Sequence, residues 1–275
     1  MARCFARIAG APRESLFSMN RPGFHSDESL ERVHFPPLVT PCRLRERQDA
    51  YAEAMRAAAE EGEARAGAGS LFYVGRFELI EFAIVLEPEE PLRLARKIVY
   101  AGMNALADAL GVLSPPEKPI NFRFPASLYF DGALVGGGRL GVPAGIGEDE
   151  TPPFLVFAAM VRAGGMRELD GMMAPEITTL DDEGFDAWEP ESFSASFARH
   201  FLVEVDSWGE RGMAGIGPRY LERLEGARET AGRRRGIDTN GDLLTRAGGG
   251  ETRTGLREGL ARLEWFDPAL GEPRG

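Results

Sequence analysis

The segment 120–141, INFRFPASLYFDGALVGGGRLG, holds the residues whose types and spacing best suit chemistry. It contains three consecutive glycines, Gly136, Gly137 and Gly138, followed by Arg139, and a second arginine, Arg123, lies upstream. Glycines let a backbone approach a ligand closely, and arginine is suited to binding phosphate or carboxylate. A glycine run beside a strand therefore predicts a site for an anionic ligand.

The two arginines and the glycines of this segment also have an interpretation that involves no ligand. Arg123 is equally typical of a strand arginine that faces solvent or pairs with one of many carboxylates. The glycines are also typical of close packing or strand curvature. Arg139 points to the face opposite to Gly138 if the strand is regular, and the sequence does not decide which face carries a site.

The charge balance excludes one large class of function. The 275 residues include 43 acidic and 32 basic ones, for a net charge of −11. A nucleic-acid-binding surface needs a concentrated basic face, and the short basic run 233–235 is typical of a solvated loop. No apolar run approaches the roughly 20 residues that a membrane span requires. We therefore expect neither nucleic acid nor a membrane as a partner.

Cysteine, histidine and lysine are scarce. Cys4 and Cys42 form no metal-binding pattern and no disulfide framework, which favours a reduced, cytoplasmic location. The three histidines lack the spacing of a metal site, so no metal site is predicted. Lys97 and Lys118 are the only lysines, and this bias, with abundant Ala, Gly and Pro, suggests a GC-rich bacterial genome. Lys118, in a Pro-rich loop, is more typical of a solvated residue than of a pocket.

Apolar periodicity and turn residues predict alternating helices and strands. Helices are expected over 43–67 and 92–113, with two more joined by a glycine-rich turn between 188 and 226. Strands are expected over 70–75, 77–86, 121–130 (broken at Pro125), 133–142 and 153–163. Asp131 and Gly132 predict a hairpin turn. The spacing of Phe193, Phe197 and Phe201 predicts a core stripe rather than a ligand site.

The order of these elements predicts an α+β fold with a mostly antiparallel sheet, packed helices and a small C-terminal β-rich domain. We expect residues 1–33 to form a disordered leader, with Met19 as an alternative start. Residues 34–228 are expected to form the main domain. Residues 229–275 carry short β-like segments around an Asn-Gly turn, which predicts a small β-barrel-like domain with a disordered end.

Four pieces of the chain, in order, resemble the biotin/lipoate A/B protein ligase family, in a divergent branch similar to biotin protein ligases. FRFPASLYFDGALVGGGRL (122–140) is similar to the core motif of those ligases, K-W-P-N-D followed by G-x-K-(V/L)-(A/G)-G-I-L. GIDTNGDLLTR (236–246) resembles the GID-x-x-G-x-L-L-V-R of their small C-terminal domain. PPFLVFAAMVRA (152–163) and ITTLDDEG (177–184) stand where two further family motifs occur. The resemblance extends from about residue 35 to about residue 265.

The resemblance implies a role for the residues that match the core motif. Arg123 stands at the first family lysine and keeps its charge, although a planar guanidinium does not replace an ammonium conservatively. Gly136 and Gly137 match small residues that let a ligand meet the backbone. Gly138 and Arg139 stand where the family has an aliphatic pair. The implied catalytic residue is therefore Arg123, beside a glycine-lined ligand site.

Several departures from the family pattern affect the implied chemistry. Ala126 and Ser127 replace an Asn-Asp pair, and Leu134 replaces a second lysine that is catalytic in lipoate ligases and octanoyltransferases. The Gly-Arg-rich loop that folds over the adenylate in biotin ligases is represented at most by Arg76. Residues 154–182 contain no cysteine, which argues against an octanoyltransferase.

The resemblance implies an enzyme that uses ATP with Mg²⁺ to activate a biotin- or lipoyl-type carboxylate (biotin, lipoate or octanoate). The activated acyl group would then pass to a lysine of a carrier-protein domain. An alternative is a catalytically impaired member that binds a small ligand or a carrier domain, and a homodimer is left open. The expected site consists of a catalytic residue, Arg123, and the ligand-binding residues Gly136, Gly137, Gly138, Arg139 and Arg76.

Overall fold

A seven-stranded sheet forms the centre of the protein. The computed structural model describes residues 33–116, 118–164, 176–185, 188–226 and 234–274. The predicted leader, residues 1–33, lies outside these ranges except for its last residue. The strands of this sheet are β1 (Thr40–Leu44), β2 (Ser70–Val74), β3 (Leu79–Leu86), β4 (Ile120–Arg123), β5 (Ser127–Phe130), β6 (Ala133–Gly141) and β7 (Leu155–Arg162). Their spatial order is β1-β2-β3-β7-β6-β5-β4, and only β1 and β2 are parallel. The predicted α+β fold with a mostly antiparallel sheet is confirmed.

Helices cover both faces of the sheet. They are α1 (Ala50–Ala58), α2 (Leu92–Ala95), α3 (Ile98–Gly111), α4 (Pro190–Arg211), α5 (Met213–Arg223) and α6 (Leu256–Arg262). Helices α3, α4 and α5 pack on one face, which we call the helical face. Helix α1 packs on the other side of β2, β3 and β7, and we call this side the α1 face. No helix among the described residues is long and apolar enough to cross a membrane.

The helical face contains the larger part of the core. Phe193, Phe197 and Phe201 of α4 are buried, which confirms that their spacing marks a core stripe. The ring of Phe157 on β7 stacks on Phe197 and Phe201, at centroid distances of 5.8 and 6.2 Å. Gly102 of α3 permits this packing, because a Cβ atom there would lie 2.3 Å from the Phe157 ring.

Two predicted elements differ most from the structure, and the helix predicted over 92–113 is divided into α2 and α3. The helix predicted over 43–67 is wrong in extent: α1 begins after Asp49, whose side chain accepts a hydrogen bond from the Ala52 N–H. Residues 43 and 44 belong instead to β1, which pairs with β2. The broken strand over 121–130 is a β4–β5 hairpin, since the chain reverses direction around the cis peptide bond between Phe124 and Pro125.

The hairpin turn predicted at Asp131 and Gly132 is confirmed. Their φ angles of 47° and 88° are both positive, as expected for the two central residues of a tight hairpin turn. This turn joins β5 to β6 and pairs Phe130 with Ala133. A β-bulge between Leu128 and Tyr129 then shifts the register, so that Leu128 pairs with Gly136 and Ser127 with Gly137.

The C-terminal part contains two small antiparallel sheets around α6. Its strands are β8 (Arg234–Ile237), β9 (Leu243–Ala247), β10 (Gly250–Thr254), β11 (Phe266–Asp267) and β12 (Glu272–Pro273). The β8–β9 turn docks on α3, where Lys97 Nζ donates to the Thr239 carbonyl at 3.0 Å and the Tyr100 hydroxyl donates to the Gly241 carbonyl. The limits 34–228 and 229–275 stay a prediction, because residues 227–233 lie outside the described part.

Candidate functional site

A row of five paired residues crosses the sheet from its β4 edge to β3. Arg123 pairs with Ser127, and Ser127 pairs with Gly137. Gly137 pairs in turn with Met160, which pairs with Glu81. Residues paired across neighbouring strands point to the same face, and four interstrand spacings make the row about 19 Å long. The predicted catalytic arginine therefore lies in line with the middle of the glycine run.

This row faces the α1 face. A Cβ atom added to Gly137 would lie 2.6 Å from the indole of Trp265, which comes from the segment after α6. A Cβ atom added to Gly138 would instead lie 3.1 Å from the Phe157 ring on the helical face. Gly138 can therefore contact a ligand on the α1 face only through its backbone, whereas Arg139 extends its side chain there.

At the β4 end of the row, Arg123 is already paired. Its Nη2 atom donates to Glu225 Oε1 at 3.1 Å and its Nε atom donates to Glu225 Oε2. Its Nη1 atom donates to the Tyr129 hydroxyl at 2.9 Å. The hydrogen bonds between the two charged groups lower the pKa of Glu225 and raise the pKa of Arg123. The guanidinium is about half exposed, so a ligand can reach it by displacing Glu225.

At the other end, Arg139 lies buried against the start of α1. Its Nη2 atom is 3.2 Å from Asp49 Oδ1. Its Cζ atom lies 3.8 Å from the ring centre of Tyr51 and 4.9 Å from that of Phe266, so the guanidinium lies between two aromatic rings. Burial lowers the pKa of Arg139, and the charge of Asp49 opposes this effect.

Glu81 is a buried carboxylate beside this arginine. Its Oε1 atom accepts a hydrogen bond from the Ala50 N–H at 2.6 Å, at the N-terminus of α1. Arg76 Nη2 lies 3.2 Å from Glu81 Oε2, as an ion pair without hydrogen-bond geometry. Burial raises the pKa of Glu81, while the Ala50 hydrogen bond and the Arg76 charge oppose the rise. Arg76 is positioned by a further hydrogen bond from Nε to the Glu46 carbonyl at 2.8 Å.

The structure thus brings two predicted ligand-binding arginines, Arg76 and Arg139, to the start of α1 and leaves Arg123 at the far end of the row. The sequence reasoning missed the two carboxylates that hold them, Asp49 and Glu81. Two signals were present. Asp49 precedes a helical pattern as an N-cap residue does, and Glu81 interrupts the apolar strand LIEFAIVL.

The glycine run is in close contact with protein atoms. A Cβ atom at Gly136 would lie 2.0 Å from the Met160 carbonyl oxygen, and one at Gly137 would lie 2.4 Å from the Ala126 carbonyl oxygen. The Trp265 indole Nε1 donates to the Gly138 carbonyl at 3.0 Å. The backbone approach predicted for a ligand is therefore made in this structure by Trp265.

The space left beside Trp265 is small. The cavity between the β4–β5 turn and the C-terminal segment, which includes Ser127 and Glu264, has a volume of about 20 Å³. That is room for about one water molecule, whereas pockets for small-molecule ligands have about 300–1,000 Å³. A larger cleft of about 840 Å³ is lined by Asp108, Arg219 and Arg223, and it includes Asn121 of β4 and Leu224 and Gly226 on either side of Glu225.

Both lysines lie outside the row and have partners of their own. Lys97 is buried, and its Nζ atom donates to the Thr239 carbonyl. Lys118 donates from Nζ to Glu183 Oε2 at 2.5 Å. The arginines are therefore the cations of the candidate site.

Comparison with protein families confirms the resemblance. The model of the Biotin/lipoate A/B protein ligase family matches residues 35–222, which is more than half of the chain. No curated protein matches the chain.

Solved structures agree with the family match. A biotin protein ligase-like protein of unknown function from Silicibacter sp. TM1040 has 26% identity and a TM-score of 0.69, with 83% of this chain and 99% of that chain covered. The apo biotin protein ligase of Aquifex aeolicus has 13% identity and a TM-score of 0.57, with 78% and 95% covered. The same Aquifex enzyme in complex with biotin and ATP has a TM-score of 0.54 at 13% identity, with 78% and 94% covered, so these two similarities show the fold alone. The chain belongs to the biotin/lipoate A/B protein ligase family.

Proposed function

We propose that this protein is a ligase-type enzyme that uses ATP, with Mg²⁺, to activate a biotin- or lipoyl-type carboxylate. The acceptor of the acyl group is a lysine of a biotinyl or lipoyl carrier domain, and the enzyme works in the cytoplasm. The observation that carries this proposal is the alignment of Arg123 with Gly137 in one cross-strand row on the α1 face.

Arg123 is the residue proposed to stabilise negative charge. It lies beside the β4–β5 turn, and its guanidinium is half exposed. The Cζ atom of Arg123 lies 4.2 Å from the ring centre of Tyr129. A positioned guanidinium can bind two oxygens of a carboxylate or phosphate at once, as its geometry with Glu225 illustrates. A preorganised cation of this kind favours a reaction in which negative charge shifts between oxygens.

Arg139 and Arg76 are proposed to bind the ligand at the other end of the row. Both guanidinium groups are held by carboxylates at the start of α1, so their positions are set before a ligand arrives. Gly136, Gly137 and Gly138 are proposed to contact the ligand through their backbone atoms. In this structure the Trp265 indole occupies the space over Gly137, so a biotin-sized ligand at this glycine requires the indole to move.

A second candidate function is binding without catalysis, of the same class of carboxylate or of a carrier domain. Two observations favour it. The Arg123 charge is balanced by Glu225, and the position of the second family lysine is occupied by Leu134, which is buried.

Two measurements on the full-length protein separate these functions. Calorimetry with biotin, lipoate and octanoate, each with and without ATP, measures binding, and pyrophosphate release measures activation. Carboxylate-dependent pyrophosphate release is the expected result. Binding without release would support the second function. Neither binding nor release, in the wild type and in the Trp265→Ala variant, would refute both.

A further inference from the structure

Residues 263–274, which we call the C-terminal strap, lie across the α1 face. The strap begins at Leu263, whose φ of 38° is uncommon for a residue with a side chain. Its strands β11 and β12 pair through two residues each, and the Arg274 N–H donates to the Trp265 carbonyl at 2.8 Å. A two-stranded pair of this length is not stable in isolation. The position of the strap therefore depends on its contacts with the main sheet.

Those contacts are made at the candidate site, where Trp265 packs with Leu79, Leu134 and Met160. The buried Trp265 covers Gly137 and donates from Nε1 to the Gly138 carbonyl. Arg162, at the end of β7, donates from Nη2 to the Pro273 carbonyl. The strap is thus anchored near its start by the Trp265 indole and near its end by the Arg162 guanidinium.

The strap also contacts both arginines proposed to bind ligand. The ring of Phe266 lies 4.9 Å from Arg139 Cζ, and Glu272 Oε1 lies 3.7 Å from Arg76 Nη1. Ring stacking and a carboxylate are contacts that a ligand with a ring and a carboxylate would also make with these arginines. The groups that the strap contacts are therefore the groups that the ligand needs.

We propose that the C-terminal strap is a built-in competitor of the ligand, and that it leaves Gly137 before a biotin- or lipoyl-sized carboxylate binds. This inference rests on the proposed function of the α1 face. Helix α6 remains in place during the movement, because Leu256 at its start is buried in the main core. The hinge is the segment around Leu263, between the anchored helix and Trp265.

The test compares full-length wild type with Trp265→Ala in calorimetric titrations with biotin, lipoate and octanoate. Removing the indole weakens the strap and vacates the space over Gly137, so the affinity for the accepted carboxylate should rise at least about tenfold. Trp208→Ala is the matched control, since Trp208 is as buried as Trp265 but belongs to the core of the helical face. It should leave the affinity unchanged.

A milder variant covers the case in which Trp265→Ala does not fold. Glu272→Gln removes the charge that faces Arg76 at a half-exposed position, and it should raise the affinity about two- to fivefold, as expected for one exposed ion pair. Hydrogen–deuterium exchange gives an independent readout. Amides of residues 263–274 should be protected in the wild type and should lose protection when the ligand binds, while residues 243–254 stay unchanged.

The outcomes distinguish the strap from the proposed function. Equal affinities of the wild type, Trp265→Ala and Glu272→Gln would overturn the competition while leaving the proposed function standing. Unchanged protection of residues 263–274 in the ligand complex would also overturn it. If no variant binds any of the three carboxylates, the proposed function fails, and the competition inferred from it fails as well.

Discussion

Arg123 and Glu225 bind each other in a bidentate arrangement, with Nε and Nη2 of the guanidinium donating to the two carboxylate oxygens. Both side chains are about half exposed, so water screens the attraction between them. A ligand carboxylate or phosphate can take over the same two donors at small cost. The pair therefore holds Arg123 in a geometry that also suits an anionic ligand, and Glu225 balances its charge in this structure.

Arg123→Ala should reduce carboxylate-dependent pyrophosphate release by about 10²–10³-fold, as measured for the loss of a single transition-state donor in other enzymes. Ligand affinity should fall less, because charge on the phosphate changes mainly during reaction. Arg123→Lys restores the residue of the family motif, and a gain of activity would mark the arginine as an impaired substitute. Arg246→Ala is the control, since Arg246 pairs with Glu251 in the C-terminal sheet. Wild-type rates in Arg123→Ala would refute the assignment.

Glu225→Gln should increase the affinity for an anionic ligand at Arg123 about two- to fivefold, the range of one exposed ion pair. The amide keeps the shape of the side chain and removes the charge that balances Arg123. Calorimetric titration with octanoate checks this result. Glu222→Gln is the matched control, because Glu222 lies near the end of α5, three residues before Glu225, and its side chain is also exposed. An equal change in both variants would show that the effect is one of net charge.

Gly137→Ala should destabilise the protein by about 1–3 kcal/mol, the range for overpacking. The new Cβ atom would lie 2.4 Å from the Ala126 carbonyl oxygen and 2.6 Å from the Trp265 ring, and the backbone oxygen cannot rotate away. Gly236→Ala on β8 is the control, because no atom lies within 4 Å of a Cβ atom there. Chemical denaturation gives both free energies of unfolding. A loss no larger in Gly137→Ala than in Gly236→Ala would contradict the tight contact.

Glu81→Gln should remove a pH-dependent part of the stability. Burial raises the pKa of Glu81, so the folded state holds this proton more tightly than the unfolded state does. The stabilising contribution is complete below the ordinary carboxyl pKa and is lost as the pH rises through the raised value. The free energy of unfolding of the wild type, relative to Glu81→Gln, should therefore fall as the pH rises above the ordinary carboxyl pKa of about 4. A difference that grows with pH would show that the Arg76 pair outweighs burial.

Much of the sheet was predictable from the sequence, because strands such as β3 and β7 are apolar runs bounded by turn residues. The helix over 43–67 was predicted too long, because Arg, Glu and Ala favour a helix while the pairing of β1 with β2 overrides that preference. The alignment of Arg123 with Gly137 depends on the β-bulge between Leu128 and Tyr129, which changes the β5–β6 register that the turn at Asp131 and Gly132 alone would give.

The candidate site depends on contacts between distant parts of the chain. Trp265 lies far from Gly137 in the sequence, and no local pattern links the two. Asp49 and Glu81 likewise join Arg139 and Arg76 only when α1 packs on the sheet. Local patterns identified the arginines and glycines, but their partners come from tertiary packing.

The two lysines have a practical consequence for detecting an acyl-transfer product. Lys97 is buried with its amine on the Thr239 carbonyl, and the amine of Lys118 is held by Glu183. Burial lowers the pKa of Lys97 but also keeps its amine away from solvent, and the ion pair with Glu183 holds the amine of Lys118. A reactive acyl group released into solution would thus find few acceptors on this chain. In a mass spectrum of the protein mixed with a carrier domain, acylation of the carrier would therefore appear against little self-labelling.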